Sequence, residues 1–419
     1  MKIRSITYFC DPKYPLDEKI LHKAGRFLTE AKSAYETAGY EVQTTRLATI
    51  PFPILLSRND FNRYVEQATK VATTKQINNL PKLAEGLKSL FPEIGLAFAS
   101  LGPALPEVPR SYQVIPEAIS AAENIFYGGV MADVKRGLDL AAVKACAEII
   151  VKCSTIEPNG FANLQFAALA NVKPGTPFFP AAYHDSNQPA FAIATESADL
   201  AVRAFENAKS IEEGRIHLVN EIQKHGKRLT RIAKSLNCKF GGIDFSLAPF
   251  PREEQSLGTA FEKLGISKIG LHGSLAAAAL LTESVDKAKF PHTGFNGLFM
   301  PVLEDANLAQ RAAEGTLTIK DVLLYSAVCG TGLDTVPLPG DTTAEQIIPL
   351  LLDLSALALR LDKPLTARLM PIPNKKAGDD TNFDFGFFAN SKVMRLESTA
   401  LNAPMNGDEV LQIRKRSQV

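Results

Sequence analysis

The sequence has no Cys-x-x-Cys pair, no charge-free apolar run of about 18 residues, and no excess of either charge. Each absence removes a class of protein. Five cysteines (Cys10, Cys146, Cys153, Cys238, Cys329), an odd number spread over 419 residues, argue against a disulfide frame or a zinc ribbon and for reduced thiols in a cytoplasmic setting. Without a long apolar run no helix is expected to span a bilayer. The N-terminal "MKIRSITYFCDPKYP" alternates like a strand and does not read as a signal peptide. With 46 Lys and Arg against 45 Asp and Glu, nothing draws the whole molecule to nucleic acid or to an anionic membrane. Internal repeats and low-complexity tracts are missing too. The partners left to consider are a small molecule at a local site and a second copy of the chain in a homo-oligomer.

What is present is alternation of short apolar strands with amphipathic helices. "KIRSITYF" is expected as a strand, about 16 to 38 as a helix stopped by Gly39, and "YEVQTTRL" as a returning strand. Helices are expected at about 60 to 75 and 81 to 90, then a strand at "IGLAFAS" and a Pro-rich stretch at "GPALPEVP". Further strands are read at "IFYGGVMA", "FANLQFAALA", "TPFFPAAYHD", "CKFGGIDFSLAP", "SKIGLHGS" and "GFNGLFMPVLED". Helices are read at 139 to 153, 197 to 236, 254 to 264 and 275 to 288. The pattern predicts a largely parallel sheet covered by helices, as an open doubly wound sheet or a closed barrel. Near the C-terminus, "TIKDVLLYSAV" is a helix ending at Cys329, with Gly330 as its stop, and "LDTVPLP" runs extended but is barred by its prolines from a central position. Thr342 with Glu345 is read as a capping box for the next helix, in which Pro349 should kink the start. Residues 1–405 are read as one domain and 406–419 as a frayed basic tail.

Polar residues at strand ends are the natural candidates for a site, because loops there stand on a rigid support. His184, Asp244, His272, Cys329 and Asp334 are selected as acid, base, nucleophile or metal ligands, with imidazole and carboxylate able to hold a divalent metal if they converge. No pair has the spacing of His-Glu-x-x-His. Capping competes at each: Ser274 after His272 is suited to an N-cap, and Glu304 with Asp305 suits the dipole of the helix that follows. Lys375 and Lys376 sit in a loop able to meet an anion but too mixed in charge for nucleic acid. "GLHGSLA" lacks a hydrolase elbow, and "CGTG" fails as a dinucleotide fingerprint because it follows a helix. Two classes stay open: an enzyme acting on a small polar or anionic metabolite, and a binding protein or scaffold that turns nothing over.

The segments "GGIDFSLAPFP", "LHGSLAAAALL", "FNGLFMPVLEDANLAQRAAEG", "VCGTGLDTVPLPGDTTAE" and "FDFGFFANSKVM", in this order, resemble domain-of-unknown-function family 711, which includes bacterial proteins grouped as uncharacterised protein family 0210. That resemblance implies a fold similar to the pyruvate formate-lyase-like enzymes, a ten-stranded α/β barrel with a cysteine on an inner finger loop opposite a radical glycine. On that analogy Cys329 takes the finger position and Gly386 lies near it. The C-terminal motif read by a radical-generating activase is missing, so chemistry without a glycyl radical is expected.

Overall fold

The first helix shows how this sequence builds its layers. In Glu18–Thr37 the positions Leu21, Ala24, Phe27, Leu28, Ala31 and Tyr35 share one face and are all buried. Covering a Leu or Phe in this way stabilises the fold by roughly 1.5–3 kcal/mol each. Asp17 starts the helix by accepting the Lys19 N–H at 2.9 Å, and Gly39, at φ +84°, turns the chain back into the sheet. The computed structural model describes residues 1–57, 73–329 and 331–415, the side chain of Cys329 excepted. The helix expected at about 60 to 75 falls almost wholly outside them.

The strands are β1 (Lys2–Cys10), β2 (Val42–Thr49), β3 (Phe98–Ala104), β4 (Ile125–Asp133), β5 (Gly137–Asp139), β6 (Phe166–Ala170), β7 (Ala190–Glu196), β8 (Lys239–Asp244), β9 (Gly332–Pro339), β10 (Leu365–Ile372) and β11 (Val410–Leu411). They form one sheet in the order β8-β7-β1-β2-β3-β4-β6-β10-β9, with β5 beside β4 and β11 beside β5. Along the main path β1 with β7 and β6 with β10 are antiparallel, and the other neighbours are parallel. A central parallel run, β1-β2-β3-β4-β6, is thus flanked by two parallel pairs of the opposite direction, β8-β7 and β10-β9, in a single mixed α/β domain. The largely parallel, helix-covered sheet expected from the sequence is present.

Its strand ladder does not close into the ten-stranded ring implied by the resemblance. β8 and β9 remain its two ends, and segment 292–301 touches each by one isolated parallel bridge, Ile243 to His292 and Pro301 to Asp334. A strand at "GFNGLFMPVLED" fails for a local reason. Asp244 accepts the N–H groups of Phe295 at 2.7 Å and Asn296 at 3.0 Å, while Ser246 Oγ takes that of Gly297 at 3.1 Å. These amides are unavailable to a ladder. The strand expected at "SKIGLHGS" is likewise a turn, with Gly270 and Gly273 at φ +103° and +102°. The helices expected over about 197 to 236 are present as Ala198–Glu206 and Ile211–Ala233. The capping box lies one residue later than read, at Thr343 and Gln346. In the expected tail, Val410–Leu411 pair antiparallel with β5.

Alternation along the strands sorts side chains to two cores. Tyr8 turns outward against Phe27 of the first helix, with ring centroids 5.3 Å apart, while Phe9 turns inward. The inner face is covered by the chain's own loop: Phe178 and Ala181 pack on Ala167, Leu169 and Ala194, and Phe179 and Ala182 pack on Phe9, Ala48 and Ala192. That inner layer is one wall of the site.

Candidate functional site

Arg4 of β1, Arg46 of β2 and Arg368 of β10 all face the inner side of the sheet, where they line a cavity of about 440 Å³. Two of them sit at irregularities. The register of β1 against β7 shifts between Ile3 and Ser5, and that of β10 against β9 shifts between Ala367 and Leu369. A bulge at such a point re-aims one side chain, here Arg4 and Arg368.

Carboxylates neutralise these two. Glu304 accepts Arg368 Nη2 at 2.7 Å through Oε1 and Arg4 Nη2 through Oε2. Asp334 Oδ1 accepts Arg368 Nε at 2.5 Å. Arg4 Nη1 donates to the Pro249 carbonyl at 3.1 Å and reaches Glu196 at 3.5 Å; Glu196 is further held by Gln43 at 2.5 Å. Removing such charges from water is costly unless every member is paired, which explains the density of contacts. One atom escapes: Glu196 Oε1 is buried without a hydrogen-bond partner.

Arg46 differs. Its Nε donates to Thr44 Oγ1 at 2.8 Å and its guanidinium lies 5.0 Å from the Phe179 ring centroid, but among the described residues no carboxylate pairs with it and neither Nη has an acceptor. Burial, with like-charge repulsion from Arg4 and Arg368 and opposed by Glu304, pushes Arg46 down to about 9, so it is still charged at neutral pH. Burial pushes the Asp334 carboxyl up, against the pull of Arg368, and pushes Glu196 up, against Arg4 and Gln43. Glu304 is the exception. Burial pushes it up as well, yet Arg4 and Arg368 together hold it below its ordinary range. Phenylalanines form much of the remaining wall: Phe98, Phe126, Phe178, Phe179, Phe299 and, from the C-terminal loop, Phe385 and Phe387.

Of the residues selected from the sequence, Asp334 lines this cavity, and His184, Asp244 and His272 do not. The expected convergence of these four about one cavity is therefore corrected. His184 is buried at the far side of the inner layer, its N–H donating to the Thr49 carbonyl at 2.9 Å and its Nε2 to the Gln188 carbonyl at 3.1 Å; burial lowers its proton affinity. Asp244 is buried and spends its oxygens on Ser246, Phe295 and Asn296, and burial lifts its carboxyl to about 6 despite those bonds. His272 is exposed in the turn before helix Ser274–Lys287. Ser274 is the first residue of that helix, not its cap; its hydroxyl closes the turn by donating to the Leu271 carbonyl. Cys329 ends helix Ile319–Cys329, but its side chain lies outside the described residues, as does Gly330. Gly386 is exposed between Phe385 and Phe387. Among the described residues no group of three or more His, Cys, Asp and Glu is placed to hold a metal ion, and no helix is long and apolar enough to cross a membrane.

The residues overlooked in the sequence are Arg4, Gln43, Arg46, Glu196 and Arg368, with Glu304 set aside as a helix-dipole partner. Asp305 alone performs that duty, accepting the N–H groups of Asn307 and Leu308. Comparison with known proteins fits this geometry into a family. The family profile described as Uncharacterised ACR (DUF711) matches residues 1–391. The chain belongs to this family. Its relatives include the UPF0210 protein of Methanopyrus kandleri, 31% identical over 389 residues, covering 88% of this chain and 82% of the relative. The UPF0210 protein of Pyrobaculum arsenaticum is 30% identical, covering 85% and 79%. That of Oenococcus oeni is 27% identical, covering 93% and 87%. None of these names carries an activity, so the chemistry must be argued from the cavity. It offers a guanidinium without a carboxylate partner, a carboxyl with raised proton affinity in the same lining, and apolar walls.

Proposed function

We propose that this cavity binds a small anionic metabolite through Arg46 and that the chain acts on it by acid-base chemistry, with Asp334 giving or taking the proton. The observation that carries the reading is that Arg46, which lines the cavity, has no acceptor at either Nη atom, in a cluster where the other two arginines are both paired with carboxylates. A charged fork left unpaired in a half-buried wall costs stability, and an anionic ligand would remove that cost. Asp334 supports the second part: one oxygen is held by Arg368, the other takes no hydrogen bond among the described residues, and burial raises the proton affinity of the carboxyl.

The bridges at His292 and Pro301 support a barrel-like enclosure in the pyruvate formate-lyase-like manner, with segment 292–301 standing where a closing strand would run. The reading uses no glycyl radical, since a radical on exposed Gly386 would be open to solvent. Cys329 stays in the proposal as a candidate nucleophile. The test begins with mass spectrometry of anions released on denaturing the purified protein, followed by thermal-shift screening of anionic metabolites against the wild type and Arg46→Met. Stabilisation that Arg46→Met abolishes supports the site. Stabilisation equal in both proteins, or none by any anion, would remove it. Binding without turnover would leave the anion site and remove the acid-base step.

A further inference from the structure

We infer that the ligand of the Arg46 cavity is a monocarboxylate on a flat apolar body, an aromatic ring or a short conjugated chain; this rests on the anion-site reading above and narrows it. The head group follows from counting free donors. Arg4 is paired with Glu196 and Glu304 and donates to the Pro249 carbonyl, and Arg368 is paired with Glu304 and Asp334, so among the lining arginines only Arg46 lacks a carboxylate partner. Two parallel N–H groups on one edge match the two oxygens of a carboxylate. A phosphate dianion would need a second uncommitted cation, and the cavity offers none. The remaining charged lining residues, Glu123 and Glu157, are acidic, which disfavours a second carboxylate on the ligand.

The body follows from the walls. Phe126 and Phe179 pack with ring centroids 5.3 Å apart, Phe178 and Phe299 at 4.2 Å, and both pairs line the cavity. Flat ligands fit such walls by stacking and edge contacts. Two polar wall side chains are already engaged. The Gln165 amide donates to the Ala122 and Ile125 carbonyls, and Thr44 donates to the Arg4 carbonyl while receiving Arg46 Nε. A sugar or other polyol has more hydroxyls than this phenylalanine-lined wall has open polar groups, and hydroxyls buried without partners are strongly disfavoured. The volume of about 440 Å³ is at the small end for ligand sites, which suits one ring with a short acid arm.

Isothermal titration calorimetry of the full chain with trans-cinnamate, phenylacetate, acetate, succinate and glucose 6-phosphate tests this. Cinnamate or phenylacetate should bind at least tenfold more tightly than the other three, and Arg46→Met should weaken that binding at least tenfold. Phe387→Ser, at an exposed wall position, should narrow the ratio of cinnamate to acetate affinity while far-ultraviolet circular dichroism stays unchanged. Tighter, Arg46-dependent binding of succinate or glucose 6-phosphate would overturn this inference and leave the anion site standing. Cinnamate binding that survives Arg46→Met would mark adsorption to the apolar walls and overturn it. No binding by any of the five would also overturn it, and the mass-spectrometric search for a released anion would then decide the broader reading separately.

Discussion

Glu304 accepts Arg368 at 2.7 Å with one oxygen and holds Arg4 with the other, so that β10 and β1, which have four strands between them in the sheet order, are tied across the interior. Truncating the shared carboxylate would leave the buried Arg368 and the partly buried Arg4 each short of a partner. Glu304→Ala should lose about 3–5 kcal/mol in urea unfolding, as expected for half of a buried pair removed. Glu304→Gln, which keeps an acceptor oxygen, should lose less. Losses under about 1 kcal/mol for the alanine variant would show the network to be water-filled and loose.

The pH dependence of stability should carry the mark of Asp244. Burial raises its carboxyl from the ordinary 3.8 to about 6. The folded chain then holds this proton more tightly than the unfolded chain, so its contribution is greatest below pH 3.8, falls as the pH rises through the window, and is gone above about 6. The change amounts to about 3 kcal/mol at most. Asp244→Asn lacks that slope. It should be less stable than wild type throughout, through its lost acceptor, but the gap should narrow between pH 4 and pH 7. A gap that widens over this interval would mean that the carboxylate is favoured by the Ser246, Phe295 and Asn296 donors more than burial opposes it.

Gly294 makes that same turn possible. At φ +73°, a Cβ added there would lie 2.1 Å from Asp244 Oδ2. Gly294→Ala should therefore lose more than about 2 kcal/mol, combining backbone strain with displacement of a buried carboxylate. Gly265, at φ +100° with nothing within 4 Å of its added Cβ, is the control for strain alone. Gly265→Ala should lose about 1 kcal/mol. Equal losses for the two would mean that the Asp244 contact yields without cost.

Cys329→Ala should leave the melting temperature nearly unchanged and abolish ligand binding or turnover, if the thiol acts on the ligand. Cys153 is the matched control, because it is buried and burial pushes its thiol up to about 12. A thiol in that state reacts slowly with disulfide reagents at neutral pH. Rapid modification that disappears in Cys329→Ala, and not in Cys153→Ala, would identify the reactive position. A Cys329 variant with full binding and turnover would reduce "CGTGLD" to a turn.

Much of the fold could be read from periodicity, because burial imposes it directly: Leu21 to Tyr35 on the first helix and the apolar strands β3, β4 and β6 are examples. The openness of the sheet could not. It depends on Asp244 capturing the amides of Phe295 and Asn296, a contact between residues about fifty positions apart. For the site, strand ends drew attention to Asp334 but also to His184 and His272, whose surroundings are structural or exposed. Arg4, Arg46 and Arg368 were hidden inside strands, and the bulges that turn Arg4 and Arg368 inward leave no sequence signature. One signal was available: a lone arginine within an otherwise apolar strand, as in "LTARLMPI", demands a buried partner.

Arg46 separates stability from function most cleanly. Arg368 is held by two carboxylates, and Arg368→Met would leave Asp334 without its ion pair and Glu304 with Arg4 alone, so that variant should lose about 3–5 kcal/mol. Arg46 has only the Thr44 hydroxyl and the Phe179 face, and its desolvation is not repaid by an ion pair. Methionine can occupy the same apolar wall without a charge. Arg46→Met should thus melt at or above the wild-type temperature, a gain of up to about 1 kcal/mol, while losing the anion-dependent rise in melting temperature. A loss above about 2 kcal/mol in the ligand-free variant would instead assign Arg46 to the support of β2, and the cavity would then lack its anchor.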